Sequence, residues 1–294
     1  MYLEGKCTLK DLRDIVEQAF LSAGWKNISS NKERDNSSDG YVFQSSGEAG
    51  DKDIIVGFRN AYYDNNWQLG LAFFAASNYT PNEVAGVNGV FEDKFYAALV
   101  YSYYPEGLGY NEETLPLSYW ININKDRIII ATRGDYSHSY NRTGVLFGGL
   151  PHVYDDKDKN CVSLFSTYNL AYNSGGSGLT IGTAPGSEGA VETISTRHIL
   201  SHKRNIWGDA LLPSHIQLYQ QYSLRGWLDI LVCASDSYPR EVDEVKIGEK
   251  YYLALKVPTN DRIIYDNDND NDNDTYFYNN FCSDYECLLL IPKF

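Results

Sequence analysis

What this sequence has little of sets the first bounds on it. Its 294 residues include one methionine, nine prolines and five cysteines. The cysteines stand at 7, 161, 233, 282 and 287, an odd set at irregular spacing. That is no disulfide framework, although Cys282 and Cys287 are near enough in sequence to bridge locally. No Cys-x-x-Cys pair or Cys/His grouping has zinc spacing, so reduced, partly buried thiols are expected. Long apolar runs are missing too. No stretch reaches the roughly 18 residues that mark a bilayer-spanning helix, and no membrane insertion is expected. Met1 to Lys6 reads as neither a signal nor a transit sequence, which points to synthesis in a cytoplasm. Positive charge is scarce: 25 lysines and arginines face 39 acidic residues, for a net charge of −14 and a pI of about 4.7. Such a chain repels phosphate backbones, so direct nucleic-acid binding is not expected. Its densest basic group, Arg197, His198, His202, Lys203 and Arg204, reads as a solvated loop or a contact with an acidic neighbour.

Catalytic signatures are absent in the same way. Neither Gly175-Gly176-Ser177-Gly178-Leu179 nor Pro185-Gly186-Ser187-Glu188-Gly189 makes a nucleophile elbow, which needs Gly-x-Ser-x-Gly. There is no phosphate loop, and no Gly-x-Gly-x-x-Gly after a strand. His198 and His202 have the spacing of a helical zinc pair but lack its glutamate. Among 39 acidic residues, choosing Glu112 with Glu113, or Asp229, as a glycosidase pair would be arbitrary. The oddest tract runs from Asp266 to Asp274 and alternates Asp with Asn. Asp266, Asp268 and Asp270 are candidate calcium ligands, because carboxylates and amides are hard oxygen donors. An EF-hand loop would then need glycine and glutamate where Asn271 and Phe277 stand. The tract therefore reads first as repeat expansion at a hairpin tip, between Tyr265 and Tyr276, and second as a calcium loop. No catalytic residue, resident metal or cofactor is expected.

What is present is apolar residue, glycine and tyrosine. At 43% hydrophobic the chain can bury a sizeable core, and its 25 tyrosines favour strands and contact surfaces. One helix is legible. Thr8 can cap it with Asp11 in the first turn, and Leu9, Leu12, Val16, Ala19, Phe20 and Ala23 recur at three- and four-residue steps. Gly24 closes it and Trp25 follows as a packing anchor. Beyond Asp39 the period changes to two. Tyr41 to Gln44 and Ile54 to Arg59 read as strands around the turn Ser46 to Asp51, and Trp67, Leu69, Leu71 and Phe73 alternate as a half-buried strand does. Further strands are expected at Ala97 to Tyr104, Val145 to Phe147, Cys161 to Phe165, Ser214 to Tyr222, Leu228 to Cys233, Tyr251 to Val257 and Leu288 to Pro292. The clearest hairpin joins Tyr119–Ile123 to Arg127–Thr132 through Asn124-Lys125-Asp126. The expected fold is mainly β: antiparallel, sandwich-like sheets with one N-terminal amphipathic α-helix. Residues 1–170 would hold the helix and a β-sandwich region, and 171–205 a glycine-rich excursion. Residues 206–294 would form a C-terminal β region, with the Asp/Asn loop at 266–274, packed on the same core.

Several segments carry a resemblance. Gly24-Trp25-Lys26 with Tyr41-Val42-Phe43-Gln44-Ser45-Ser46-Gly47-Glu48-Ala49-Gly50-Asp51-Lys52-Asp53-Ile54 is similar to the N-terminal part of virion structural proteins of tailed bacteriophages and related tail-like particles. Trp120 to Ile130, followed by Gly144 to Pro151, is similar to them as well. So is Leu224-Arg225-Gly226 leading to Lys246 to Leu255, which resembles an ending where a glycine turn displays a final tyrosine-bearing strand. The resemblance implies a virion subunit of the tail, baseplate or connector, synthesised in the host cytoplasm, with no catalytic residues to carry over. Its partners would be other virion structural proteins, and it would form a homo-oligomeric ring. Candidate assembly or ligand contacts are Leu12, Val16, Phe20, Trp25, Trp67 and Trp227. A second reading is a carbohydrate-binding sandwich that presents Trp67 and Trp227 to a host-surface glycan. A third is a hydrolase of cell-surface polymers.

Overall fold

The computed structural model describes residues 1–32, 39–63, 68–84, 86–92, 94–103, 111, 113–134, 143–166, 192–193, 213–220, 223–234, 243–257 and 287–293. Mainly β and antiparallel, it has a single helix near the N-terminus among these residues. Three larger sheets and one small hairpin account for the strands.

The central sheet contains β1 (Tyr2–Thr8), β9 (Pro116–Ile123), β10 (Arg127–Gly134), β11 (Thr143–Gly149) and β13 (Ser163–Ser166), in that order. The expected hairpin is its middle: Ile123 pairs with Ile128 and Tyr119 with Thr132. Asn124 shapes the turn, since its side-chain oxygen accepts from the backbone N–H of Asp126 at 2.9 Å and of Arg127 at 3.0 Å. The uninterrupted run Ile128-Ile129-Ile130-Ala131 follows from burial on both faces. Ile121, Ile123, Ile128, Ile130, Leu146 and Leu164 enter one apolar cluster, whereas Trp120, Ile129, Ala131, Val145, Phe147 and Phe165 enter another.

On the first face lie α1 (Leu9–Ser22) and a second sheet, built of β2 (Lys26–Asn27), β3 (Tyr41–Ser45), β4 (Ile54–Tyr63), β5 (Gln68–Ala76) and β8 (Phe95–Tyr103). The helix begins as its sequence predicts. Thr8 Oγ1 accepts from the Asp11 backbone N–H at 3.2 Å, and the Asp11 carboxylate accepts from the Thr8 N–H at 3.3 Å, which completes a capping box. It ends in a Schellman motif. Gly24, at φ 87°, turns the chain so that its own N–H reaches the Leu21 carbonyl and the Trp25 N–H reaches that of Phe20, both at 3.0 Å. Trp25 then folds edge-on to Phe20, and Phe20 stacks on Phe43 at 4.3 Å between ring centres.

One expectation is corrected in this sheet. Leu71 to Ala76 is not half-buried, because every residue in it is buried. The outer face is covered by a hairpin of β6 (Asn78–Thr80) and β7 (Val90–Glu92), whose Tyr79 and Phe91 pack with Val42, Ile55, Phe74 and Ala76. A buried network fastens this hairpin. The Tyr79 hydroxyl donates to Asp39 at 2.7 Å, and Asp39 also accepts from the Gly89 N–H at 2.6 Å.

Against the other face of the central sheet packs the third sheet. It orders β14 (Glu192–Thr193), β15 (Ser214–Gln220), β16 (Ser223–Ala234), β19 (Cys287–Lys293), β18 (Lys250–Val257) and β17 (Glu244–Ile247), with β12 (His152–Val153) joined to β16. Asn122 stitches the two layers by donating its side-chain amide to the Pro292 carbonyl at 2.7 Å. The expected glycine turn is at Gly248, at φ 61°, between Ile247 and Lys250. The tyrosine-bearing strand it displays, β18, is followed and paired by β19, so it is not final. Leu224-Arg225-Gly226 is no turn but lies within β16. Gly226 is needed because a Cβ there would strike the His152 carbonyl oxygen.

Candidate functional site

The structure spends the helical contact candidates inside the chain. Leu12, Val16 and Phe20 are fully buried and Trp25 is 2% exposed, all in the core beneath the second sheet. None of the four is available to a partner. The stripe meets its own two sheets because a single amphipathic helix must bury its apolar side on something. Trp67, Asp266, Asp268 and Asp270 lie outside the described residues, as does the His198/His202 pair. Cys7 and Cys161 are free thiols. Burial, then the nearby Asp11 charge, pushes the Cys7 thiol up to about 12, which leaves it inert as a nucleophile.

Two of the three segments bearing the resemblance, the N-terminal one and the one from Trp120 to Pro151, meet at one end of the layers. Leu224 to Gly226 and Lys246 to Leu255 lie apart from them in the third sheet. Trp25 Nε1 donates to the Asn124 carbonyl at 2.7 Å, and the Ser45 hydroxyl donates to the Lys125 carbonyl at 2.6 Å. The Glu48 N–H donates to the Asp126 carboxylate at 2.8 Å, while the Lys125 N–H donates back to the Glu48 carboxylate at 3.2 Å. The Leu150 N–H donates to the Asp126 carbonyl at 2.9 Å. Gly149, at φ 132°, is obligatory here, since a Cβ would meet that same carbonyl oxygen. These residues hold one another, so their chemistry is spent on a joint between layers.

Trp227 is the candidate that reaches a surface constellation. It sits on β16 opposite His152 of β12, and the two rings stack at 5.0 Å and 14°. Tyr154 leans on Trp227 at 4.8 Å and 47°, and His215 approaches it at 6.1 Å. Two residues further along β16 comes Asp229. The β15 ladder skips Asp229 and Ile230 in a bulge, and on the other edge β12 ends at Trp227 while β19 begins at Leu231. Pro292 has no N–H to extend that ladder, which stops at Leu290. Asp229 thus stands where the strand changes partners, and a bulge there re-aims its side chain. Its carboxylate takes His152 Nε2 at 2.8 Å and an ion pair from Arg127 of the central sheet. Burial pushes the Asp229 carboxyl up, but the His152 hydrogen bond and the Arg127 charge outweigh it, so the net direction is down. A second pair lies beside it. Arg225 forks onto the Asp158 carboxylate at 2.6 and 2.7 Å, with Asp158 2% exposed.

Lys94 is another perturbed group, at the small hairpin. Its ammonium lies 3.7 Å from the centre of the Phe91 ring and 4.2 Å from that of Phe74. Burial, then the Arg59 charge, pulls it down to about 8, whereas the two ring faces favour its charged form. At neutral pH it remains a cation that ties the small hairpin to the second sheet.

Comparison with known proteins adds no relative. No protein-family model matches the chain, and no curated protein matches it. Sequence reading missed His152, Tyr154 and Arg127 as parts of one cluster, because they come from the short strand β12, the residue just after it, and a different sheet. The available signal was Trp227-Leu228-Asp229, an acid two places after a tryptophan in the otherwise uncharged run Gly226 to Ala234.

Proposed function

We propose that this chain is a structural subunit of a tailed-phage virion or phage-tail-like particle, of the tail, baseplate or connector type. It acts by protein–protein assembly and not by catalysis. The observation that supports this reading is the end joint. Residues from two of the three segments that carry the resemblance to virion proteins, from Trp25 and Ser45 to Glu48, Asp126 and Leu150, form one hydrogen-bonded lock between layers. A likeness written in scaffold residues fits a protein whose product is its shape. Surface features are compatible with it. Val84, Val87 and Val90 are 61%, 44% and 67% exposed around the small hairpin, whose base is held by Asp39 and Tyr79. Exposed apolar side chains around an anchored hairpin suit a contact repeated around a ring, where symmetry multiplies a modest patch. Purified particles are expected to contain the chain at fixed stoichiometry. Replacing the three valines by serine is expected to release it from particles while leaving its melting temperature unchanged. A chain that stays a monodisperse monomer and is absent from particles would overturn the reading.

A further inference from the structure

The constellation around Trp227 has properties that the assembly reading does not use. Its rings gather at one place: Tyr154 is 60% exposed, the His152 side chain is 40% exposed, His215 is exposed, and Trp227 is half-buried between them. Aromatic groups left this open offer an apolar platform. Polar tips rim it. His152 uses Nε2 on Asp229, and His215 uses Nδ1 on the Leu228 carbonyl. Among the described residues, Trp227 Nε1, the Tyr154 hydroxyl, His152 Nδ1 and His215 Nε2 have no hydrogen-bond partner. Charge at the patch is balanced. Arg127 is matched by Asp229 and Arg225 by Asp158, so neither guanidinium is offered to an anion.

We propose that the surface formed by Tyr154, Trp227, His152 and His215 is a binding subsite for an uncharged sugar ring of a glycan. A pyranose presents an array of C–H groups on one face and hydroxyls around its edge. The first packs on aromatic rings, and the second both donates and accepts, as the indole N–H, the phenol and the imidazole nitrogens require. A nucleobase would also stack, but a strand carries phosphates, and this patch pairs its cations internally within a chain of charge −14. An acidic glycan is disfavoured for the same reason. The ion pairs also hold the platform still: Arg127 and Asp229 fix His152, and His152 fixes the plane of Trp227. This inference is independent of the virion reading, because it concerns ligand binding by the single chain.

The test uses the full-length chain on an array of neutral hexose and N-acetylhexosamine oligosaccharides beside uronate- and sialate-bearing ones. Calorimetry on the best neutral binder then compares Tyr154→Ala, Tyr154→Phe and Trp227→Ala. Neutral glycans are expected to bind. Tyr154→Ala should weaken binding about tenfold, the loss of roughly 1.4 kcal/mol, with an unchanged melting temperature, and Tyr154→Phe should keep most of the affinity. Trp227→Ala should abolish binding, and because Trp227 also packs on His152, the exposed Tyr154 decides the matter. No neutral binding at millimolar ligand, a preference for acidic glycans, or equal affinity in wild type and Tyr154→Ala would each overturn the proposal.

Discussion

Asp158 is a carboxylate with almost no solvent, and it is tolerable as an ion because Arg225 meets it with two parallel N–H donors. The guanidinium keeps 22% of its own side chain exposed, so the pair is half-wet and its loss is smaller than for a fully buried pair. Asp158→Asn keeps the shape and removes the charge. It is expected to cost about 1.5–3 kcal/mol, the range for hydrogen bonds to charged groups, as a lower urea midpoint with an unchanged slope. Little of this was legible beforehand. Asp158 sits in a charged run, Asp155-Asp156-Lys157-Asp158-Lys159, that gives no hint which carboxylate turns inward. Gly149 and Gly226 are similar cases, since what excludes a Cβ at each is a backbone carbonyl from another segment.

At the scale of elements, α1 was the most legible part of the chain. Its cap, stripe and stop all lie within 18 residues of sequence, from Thr8 to Trp25, so local rules suffice to find them. Thr8→Ala removes the acceptor for the Asp11 N–H. It is expected to destabilise the protein by about 1 kcal/mol, read as a lower urea midpoint, and Thr8→Ser should restore most of it. An unchanged midpoint in Thr8→Ala would mean that packing on the two sheets alone holds the helix. The hairpin of β9 and β10 was equally legible, through alternation and an Asn-led turn. By contrast, β1 escaped notice. Tyr2 to Thr8 has a weak pattern, and it becomes a strand by pairing residue for residue with β9, from Tyr2 opposite Asn122 to Thr8 opposite Pro116.

For the whole molecule, the cross-layer contacts set how stability responds to acid. Asp229, on the third sheet, is held by Arg127 of the central sheet and by His152 of β12. Its folded carboxyl titrates below the usual carboxylate range. The unfolded chain therefore binds this proton first as pH falls. The contribution is complete above an unfolded value of about 3.9 and is lost as pH drops through the folded one. Urea midpoints measured from neutral to acid pH are expected to fall less steeply in Asp229→Asn than in wild type. Parallel curves would show that Asp229 is not a source of the acid sensitivity.

The sequence by itself determined the mainly β class, the single amphipathic helix with both its ends, and the central hairpin. Each depends on residues near one another in the chain, where period, capping and turn chemistry act directly. Only the tertiary structure decided that the helical stripe faces inward, that Leu71 to Ala76 are buried on both sides, and that the central sheet lies between two others. It alone brought His152, Tyr154, Arg127 and Asp229 to Trp227. Those outcomes depend on which faces meet and where a ladder stops. Alternation along a strand says that two faces differ; it cannot say what lies across from either.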